Sequence, residues 1–177
     1  KFMKDYNFKY LGNLNIKNIK KNVLAIPEEE WNKFEFRQKT YEVHKNTHTI
    51  PLIFDIDFRS TNPTYLSNSE LYKEELNYLK NLFLNKLGNG FIIRAILVKL
   101  KNKSLINPHI DSGHSLSISN RMHIPIITNE KVFFQVGDEI KIFKEGEIWK
   151  INNTGKSHSV VNNSNEDRVH LIVDWTK

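Results

Sequence analysis

Residues 91–100 read FIIRAILVKL, and they open a series of short apolar runs that decides the fold. RMHIPIIT (121–128), KVFFQV (131–136), EIKIF (139–143), EIWKIN (147–152), HSVVN (158–162) and RVHLIVDW (168–175) follow. Their period of two is that of strands, whose successive side chains point to opposite faces. VGDE (136–139) and KEGE (144–147) place glycine where a tight hairpin needs positive φ, while NNTGK and NNSNED supply polar connections. Seven strands at this spacing predict a mainly β fold, an antiparallel jelly roll or double-stranded β-helix of the cupin kind, over residues 91–177.

Upstream the pattern differs. NVLAIP (22–27) and HTIPLIFDIDF (48–58) read as strands, the latter with Ile50, Leu52, Phe54, Ile56 and Phe58 at period two. From Ser69 the sequence SELYKEELNYLKNLFLNKLG repeats leucine at three- and four-residue intervals, which predicts an amphipathic helix over 69–87. Ser69 can cap its start, Glu70 and Glu74 suit the positive helix end, and Gly88 can terminate it. Its stripe of Leu71, Leu76, Leu79, Leu82, Phe83 and Leu87 is expected to be core. With no repeat and no low-complexity linker, residues 1–177 are expected to form a single domain, in which N-terminal strands and the helix (1–90) buttress the jelly-roll core (91–177).

A chain of 177 residues with 39% hydrophobic content can bury a sizeable core, and no apolar run approaches the roughly 18 residues that span a membrane. Zero cysteines exclude thiolate metal sites and fit a reducing, cytoplasmic setting, so any metal must be held by His, Asp or Glu. The net charge of +6 invites a nucleic-acid reading, but the lysines are scattered. The one basic cluster, KNIKKN (17–22), lacks interleaved aromatics for base stacking, so the lysines read as a solvated surface.

The chemistry concentrates in four stretches. In INPHIDSG (106–113), His109 and Asp111 lie two apart, so an extended chain aims an imidazole and a carboxylate at one point. Alone, this pair could equally be a loop tip whose aspartate caps its own backbone. GKSHSVVN (155–162) adds His158 at the start of another strand, completing a two-histidine, one-carboxylate set that leaves open positions on an octahedral ferrous ion. The pairs Arg121 with His123 and Arg168 with His170 each share a strand face. Either those faces meet solvent, or the arginines are buried and each needs an anion.

From about Arg94 to Trp175 the chain resembles the aspartyl/asparaginyl β-hydroxylase-like branch of the iron(II)- and 2-oxoglutarate-dependent dioxygenases. INPHIDSG, NRMHIPIITN, VFFQVGDE, KEGEIWKINN, SHSVVNNS and DRVHLIVDW carry the resemblance, in order and in register. It implies that His109, Asp111 and His158 are the iron ligands and that Arg168 pairs with the remote carboxylate of 2-oxoglutarate. It also implies that Arg121 and His123 lie near the metal-chelating end of that cosubstrate; His170 gains no role. The chain departs from the animal members, which lack the carboxylate ligand, and reads KNKS (101–104) where the family commonly has Pro-Gly, a turn that Asn102 can still make.

The resemblance implies hydroxylation of an unactivated C–H bond of an amino acid, free or in a peptide or protein, with dioxygen consumed and succinate and carbon dioxide released. The charges agree: iron +2, Asp111 −1, 2-oxoglutarate −2 and Arg168 +1 sum to zero. His44, His48, Arg59 and the serines of DSGHSLSIS (111–119) are candidate substrate contacts, each weighed against ordinary surface polarity. The alternatives are a non-enzymatic jelly-roll module binding a metal or small anion and, less favoured, a dioxygenase acting on nucleic-acid bases, for which no aromatic base-flipping loop is evident. Oligomeric state is not legible in the sequence.

Overall fold

A computed structural model describes residues 6–56 and 62–177. Among these, eleven strands form two antiparallel sheets. In chain order the strands are β1 (Phe8–Asn13), β2 (Thr47–Phe54), β3 (Thr64–Tyr65), β4 (Phe91–Leu100), β5 (Ser104–His109), β6 (Asn120–Ile127), β7 (Val132–Val136), β8 (Glu139–Lys141), β9 (Glu147–Ile151), β10 (His158–Asn162) and β11 (Arg168–Thr176). The helices are α1 (Lys17–Leu24), α2 (Glu28–Trp31), α3 (Phe36–Thr40), α4 (Lys73–Leu87) and α5 (His114–Ile118). The large sheet runs β1-β9-β6-β11-β4-β2-β3 and the small one β5-β10-β7-β8, so β4 to β11 divide four and four as in a double-stranded β-helix.

Both faces of the large sheet are covered along its central strands β6, β11, β4 and β2. One face carries Ala95, Leu97, Met122, Ile124, Val169, Leu171, Val173 and Trp175 into a cluster with Ile19 and Val23 of α1 and Leu76, Leu79 and Phe83 of α4. The Phe83 and Trp175 rings meet edge to face at 5.8 Å. The opposite face looks toward the small sheet, where Leu100 packs with Ile106, Phe134, Phe143 and Val160. This second face also holds Arg94, Arg121, His123, Arg168, His170 and Asp174, all buried. The strand alternation therefore separates an apolar face from a polar one, and neither is solvent.

Several local expectations are revised. NVLAIP is not a strand: its first residues end α1, with Ile19 and Val23 buried and the lysines of KNIKKN on the outside. Short apolar runs fit either element, and here burial at four-residue spacing selects the helix. Ser69 does not cap α4; residues Ser67–Tyr72 form a 3-10 turn, the α-helix begins at Lys73, and Leu71 is exposed. Gly88 does end the helix, at φ 88°. Ile50, Leu52 and Phe54 of β2 are buried, Ile56 lies exposed in a turn, and Phe58 and Arg59 lie outside the described residues. VGDE makes the β7–β8 hairpin, but KEGE carries the chain from the small sheet to the large one. The left-handed residue of KNKS is Lys103, while Asn102 is fixed through its backbone and side-chain nitrogens on Asp167. An eighth strand, β5, ends on His109 within INPHIDSG.

Candidate active site

The small sheet brings the two distant histidines together. β10 pairs with β5 in a register that sets His158 opposite His109, and their rings lie 4.2 Å apart. Asp111 follows two residues after His109, its amide held by the Asn153 carbonyl at 2.9 Å. The ligating atoms of His109, Asp111 and His158 all fall within 4.8 Å of one another, which is the spacing of groups that can share one metal ion.

Each donor is prepared for that task. His109 Nδ1 lies 2.7 Å from the Asn107 carbonyl oxygen, which can only accept, so Nδ1 is the donor there and Nε2 is the atom that faces Asp111 Oδ1, at 3.6 Å. Burial pushes His158 down to about 4, outweighing nearby Asp111, so its imidazole is neutral at physiological pH and its Nε2 stands 3.8 Å from Asp111 Oδ2. Burial alone would raise the Asp111 carboxyl, but the Arg121 guanidinium, His158 and a hydrogen bond from Asn153 override it, and the group stays ionised. Arg121 Nη1 donates to Asp111 Oδ2 at 2.7 Å and Asn153 Nδ2 to the same oxygen at 2.8 Å. Two donors thus occupy one carboxylate oxygen and leave Oδ1 facing His109.

The donor set, two imidazole nitrogens and one carboxylate, suits ferrous iron. A fourth group suits a dicarboxylate. Arg168, on β11 opposite Leu100 of β4, is only 1% exposed, and its Nε and Nη1 have no hydrogen-bond partner. Burial, reinforced by nearby Arg37, pushes it down to about 9, so it remains charged at neutral pH. A small cavity joins Arg168 to His109, His123, His158 and Arg121. A buried guanidinium with unspent donors lining the same cavity as a three-ligand cluster is where a carboxylate belongs.

The family model for aspartyl/asparaginyl β-hydroxylase matches residues 8–177. The chain belongs to that family. The match extends through the N-terminal half, beyond the stretch from Arg94 to Trp175 in which the motifs are recognisable. Among solved structures, an oxidoreductase of the 2OG-Fe(II) oxygenase family from Burkholderia pseudomallei is 17% identical with a TM-score of 0.60, covering 73% of this chain and 66% of that one. A nickel complex of the non-heme monooxygenase ThoJ is 11% identical, also with a TM-score of 0.60, covering 97% of this chain and 74% of that one. At such identities the likeness concerns the fold. The chain spans just under two thirds of the Burkholderia chain's length. No curated protein matches it.

Of the residues singled out from the sequence, His109, Asp111, His158, Arg121, His123 and Arg168 gather at one place. His123 Nδ1 lies 3.2 Å from His170 Nδ1, and burial pushes both imidazoles well below their usual range, so both are neutral. His170 stacks on Phe134 with ring centroids 6.2 Å apart and is part of the aromatic packing beneath the site. His44 also reaches the site: its ring meets His109 edge-on at 5.6 Å, and its Nε2 accepts from Arg37 Nη2 at 3.1 Å. His48 instead pairs with Gln38 at 3.2 Å and lines neither cavity. Among the serines of the 111–119 loop, Ser115, Ser117 and Ser119 are spent on Asp55, the His114 carbonyl and the Ser115 carbonyl.

Sequence reasoning passed over Arg37, Asn153, Arg94, Asp55 and Asp174. Arg94 and Asp174 had a legible signal: each is a charge flanked by apolar residues within a strand, and such a charge must find a partner when buried. Arg37 and Asn153 had none, since each reaches the site from a polar stretch resembling any other.

Proposed function

We propose that the protein is an iron(II)- and 2-oxoglutarate-dependent dioxygenase that hydroxylates an unactivated C–H bond of an amino acid, free or within a peptide. His109, Asp111 and His158 would hold the iron. Arg168 would receive the remote carboxylate of 2-oxoglutarate, with Arg121 and His123 bordering the metal-chelating end. The observation that carries this reading is the buried Arg168 guanidinium, whose Nε and Nη1 are unpartnered in the cavity shared with the histidines. Once bound, iron and cosubstrate supply the oxidising power, consuming dioxygen and releasing succinate and carbon dioxide.

The protein's own part is binding, orientation and exclusion of water. The Asn107 carbonyl fixes the His109 tautomer, and Arg121 with Asn153 restricts Asp111 to one free oxygen. A cavity of about 260 Å³ on the outer side of the triad is lined by Arg37, Tyr41, His44, Ile110, His114 and Leu116 among others. It falls below the roughly 300–1,000 Å³ of pockets for drug-sized ligands, which favours a single amino-acid residue as the group admitted.

Anaerobic titration with iron(II) and then 2-oxoglutarate should produce the visible absorbance of the metal–cosubstrate chelate in the wild type and not in His158→Ala. A succinate-release screen over free amino acids, short peptides and methylated oligonucleotides would then identify the substrate. Absence of the band from the wild type, or turnover by His158→Ala, would overturn the proposal.

A further inference from the structure

Beneath the site a line of buried charges alternates in sign. Arg121 Nη1 bonds Asp111 Oδ2 at 2.7 Å, while its Nε and Nη2 form a fork on Asp174 Oδ1 and Oδ2, both at 2.8 Å. Asp174 Oδ2 lies 3.9 Å from Arg94 Nη1, and Arg94 in turn bonds Asp55 Oδ1 through Nε at 3.1 Å and Nη2 at 2.6 Å. Asp55 Oδ2 accepts from the Ser115 hydroxyl. Strand register builds the line: Asp174 on β11 stands opposite Arg121 on β6 and Arg94 on β4, and Asp55 directly follows β2, the next strand over. Asp55, Arg94, Ser115, Arg121 and Asp174 are all at most 6% exposed.

The line closes on itself. It starts at Asp111 and finishes at Ser115, four residues further along the chain, after crossing four strands. Between these ends Ser112, Gly113 and His114 are exposed, with Gly113 at φ 103°. A segment of that kind has little packing to fix its course, and its two clasped ends must do so. Alternating buried charges suit the task, because each member holds its neighbours in one geometry and none can turn away without leaving a charge uncompensated.

We propose that this closed line of charges aims the Asp111 carboxylate, and that Ser115 and Asp55, at its far end, are positioning residues for the metal-facing oxygen. The inference rests on the iron reading above and adds residues that touch neither metal nor cosubstrate. Ser115→Ala removes the far clasp without introducing a buried charge. Iron(II) alone, titrated anaerobically into the metal-free protein, should bind Ser115→Ala about tenfold more weakly than wild type, the scale on which supporting contacts to metal ligands act. The Asp111 amide, held on the Asn153 carbonyl, should exchange hydrogen several-fold faster. Leu79→Ala, in the helix-side core, should lower the melting temperature while leaving iron affinity and Asp111 exchange unchanged, separating positioning from general stability. If Ser115→Ala does not fold, Asp55→Asn tests the same end of the line with the same two measurements. Wild-type affinity and wild-type Asp111 exchange in the clasp variant would overturn the proposal. If the wild type itself binds no iron(II), the iron reading fails, and the exchange measurement still decides the clasp.

Discussion

Replacing Arg168 by methionine should make the ligand-free protein more stable and at the same time blind to 2-oxoglutarate. The guanidinium is 1% exposed, two of its nitrogens are unpartnered, and burial with Arg37 nearby pushes its pKa down to about 9. At roughly 1.4 kcal/mol per unit, such a depression corresponds to several kcal/mol of unfavourable burial. A base lowered in the folded state destabilises fully below its folded pKa, so the whole penalty is present at neutral pH and is relieved only as pH rises above about 9. Methionine keeps much of the volume and removes the charge; exchanging buried charge for apolar bulk commonly gains about 1–4 kcal/mol. At about 2–4 °C per kcal/mol for a domain of this size, the metal-free variant should melt several degrees higher. With iron(II) under nitrogen, 2-oxoglutarate at a hundred times its dissociation constant should stabilise the wild type by about 2.7 kcal/mol and the variant hardly at all. A variant that melts lower and still responds fully to 2-oxoglutarate would refute the reasoning that Arg168 is a charge held in reserve for a carboxylate.

His109→Ala and His158→Ala should each abolish iron(II) binding and substrate-dependent succinate release while leaving the far-ultraviolet circular dichroism unchanged. Gly90→Ala should destabilise by roughly 1–3 kcal/mol in denaturant unfolding, because an added Cβ would sit 2.2 Å from the Thr176 carbonyl oxygen and 2.7 Å from Trp175 Nε1. Acid should weaken the metal-free protein early: burial holds His44, His123, His158 and His170 below the usual histidine range. The unfolded chain therefore binds more protons as pH falls below about 6.5, and each histidine removes up to about 1.4 kcal/mol of stability per pH unit until its folded pKa is reached. Thermal melts between pH 5 and 8 would show this as a falling midpoint, and a flat profile would contradict it.

The strand alternation after Gly90 and the leucine spacing of α4 were legible because burial imposes one period on each element. So was the grouping of His109, Asp111 and His158, whose type and order carry chemistry beyond their neighbours. What could not be read was that the central strands of the large sheet are dry on both sides. RMH and RVH admitted a solvated face, and only the packing of the small sheet shows Arg121 and Arg168 buried. NVLAIP misled because six residues are too few to separate the two periods. β5 was hidden by a proline within INPH and by its polar neighbours.

Because the reactive groups and the core alternate along β6 and β11, chemistry and folding read from the same register. Sliding β11 by one residue would drive Arg168, His170 and Asp174 against Leu79 and Phe83, and would turn Val169, Leu171 and Val173 toward the histidines. A mispaired strand would thus be both inactive and loaded with stranded charge. The offsets at Val169/His170 and Asp174/Trp175 bracket this strand like pins in a lock. A chain that reaches its stable pairing has, by the same step, assembled its reactive face.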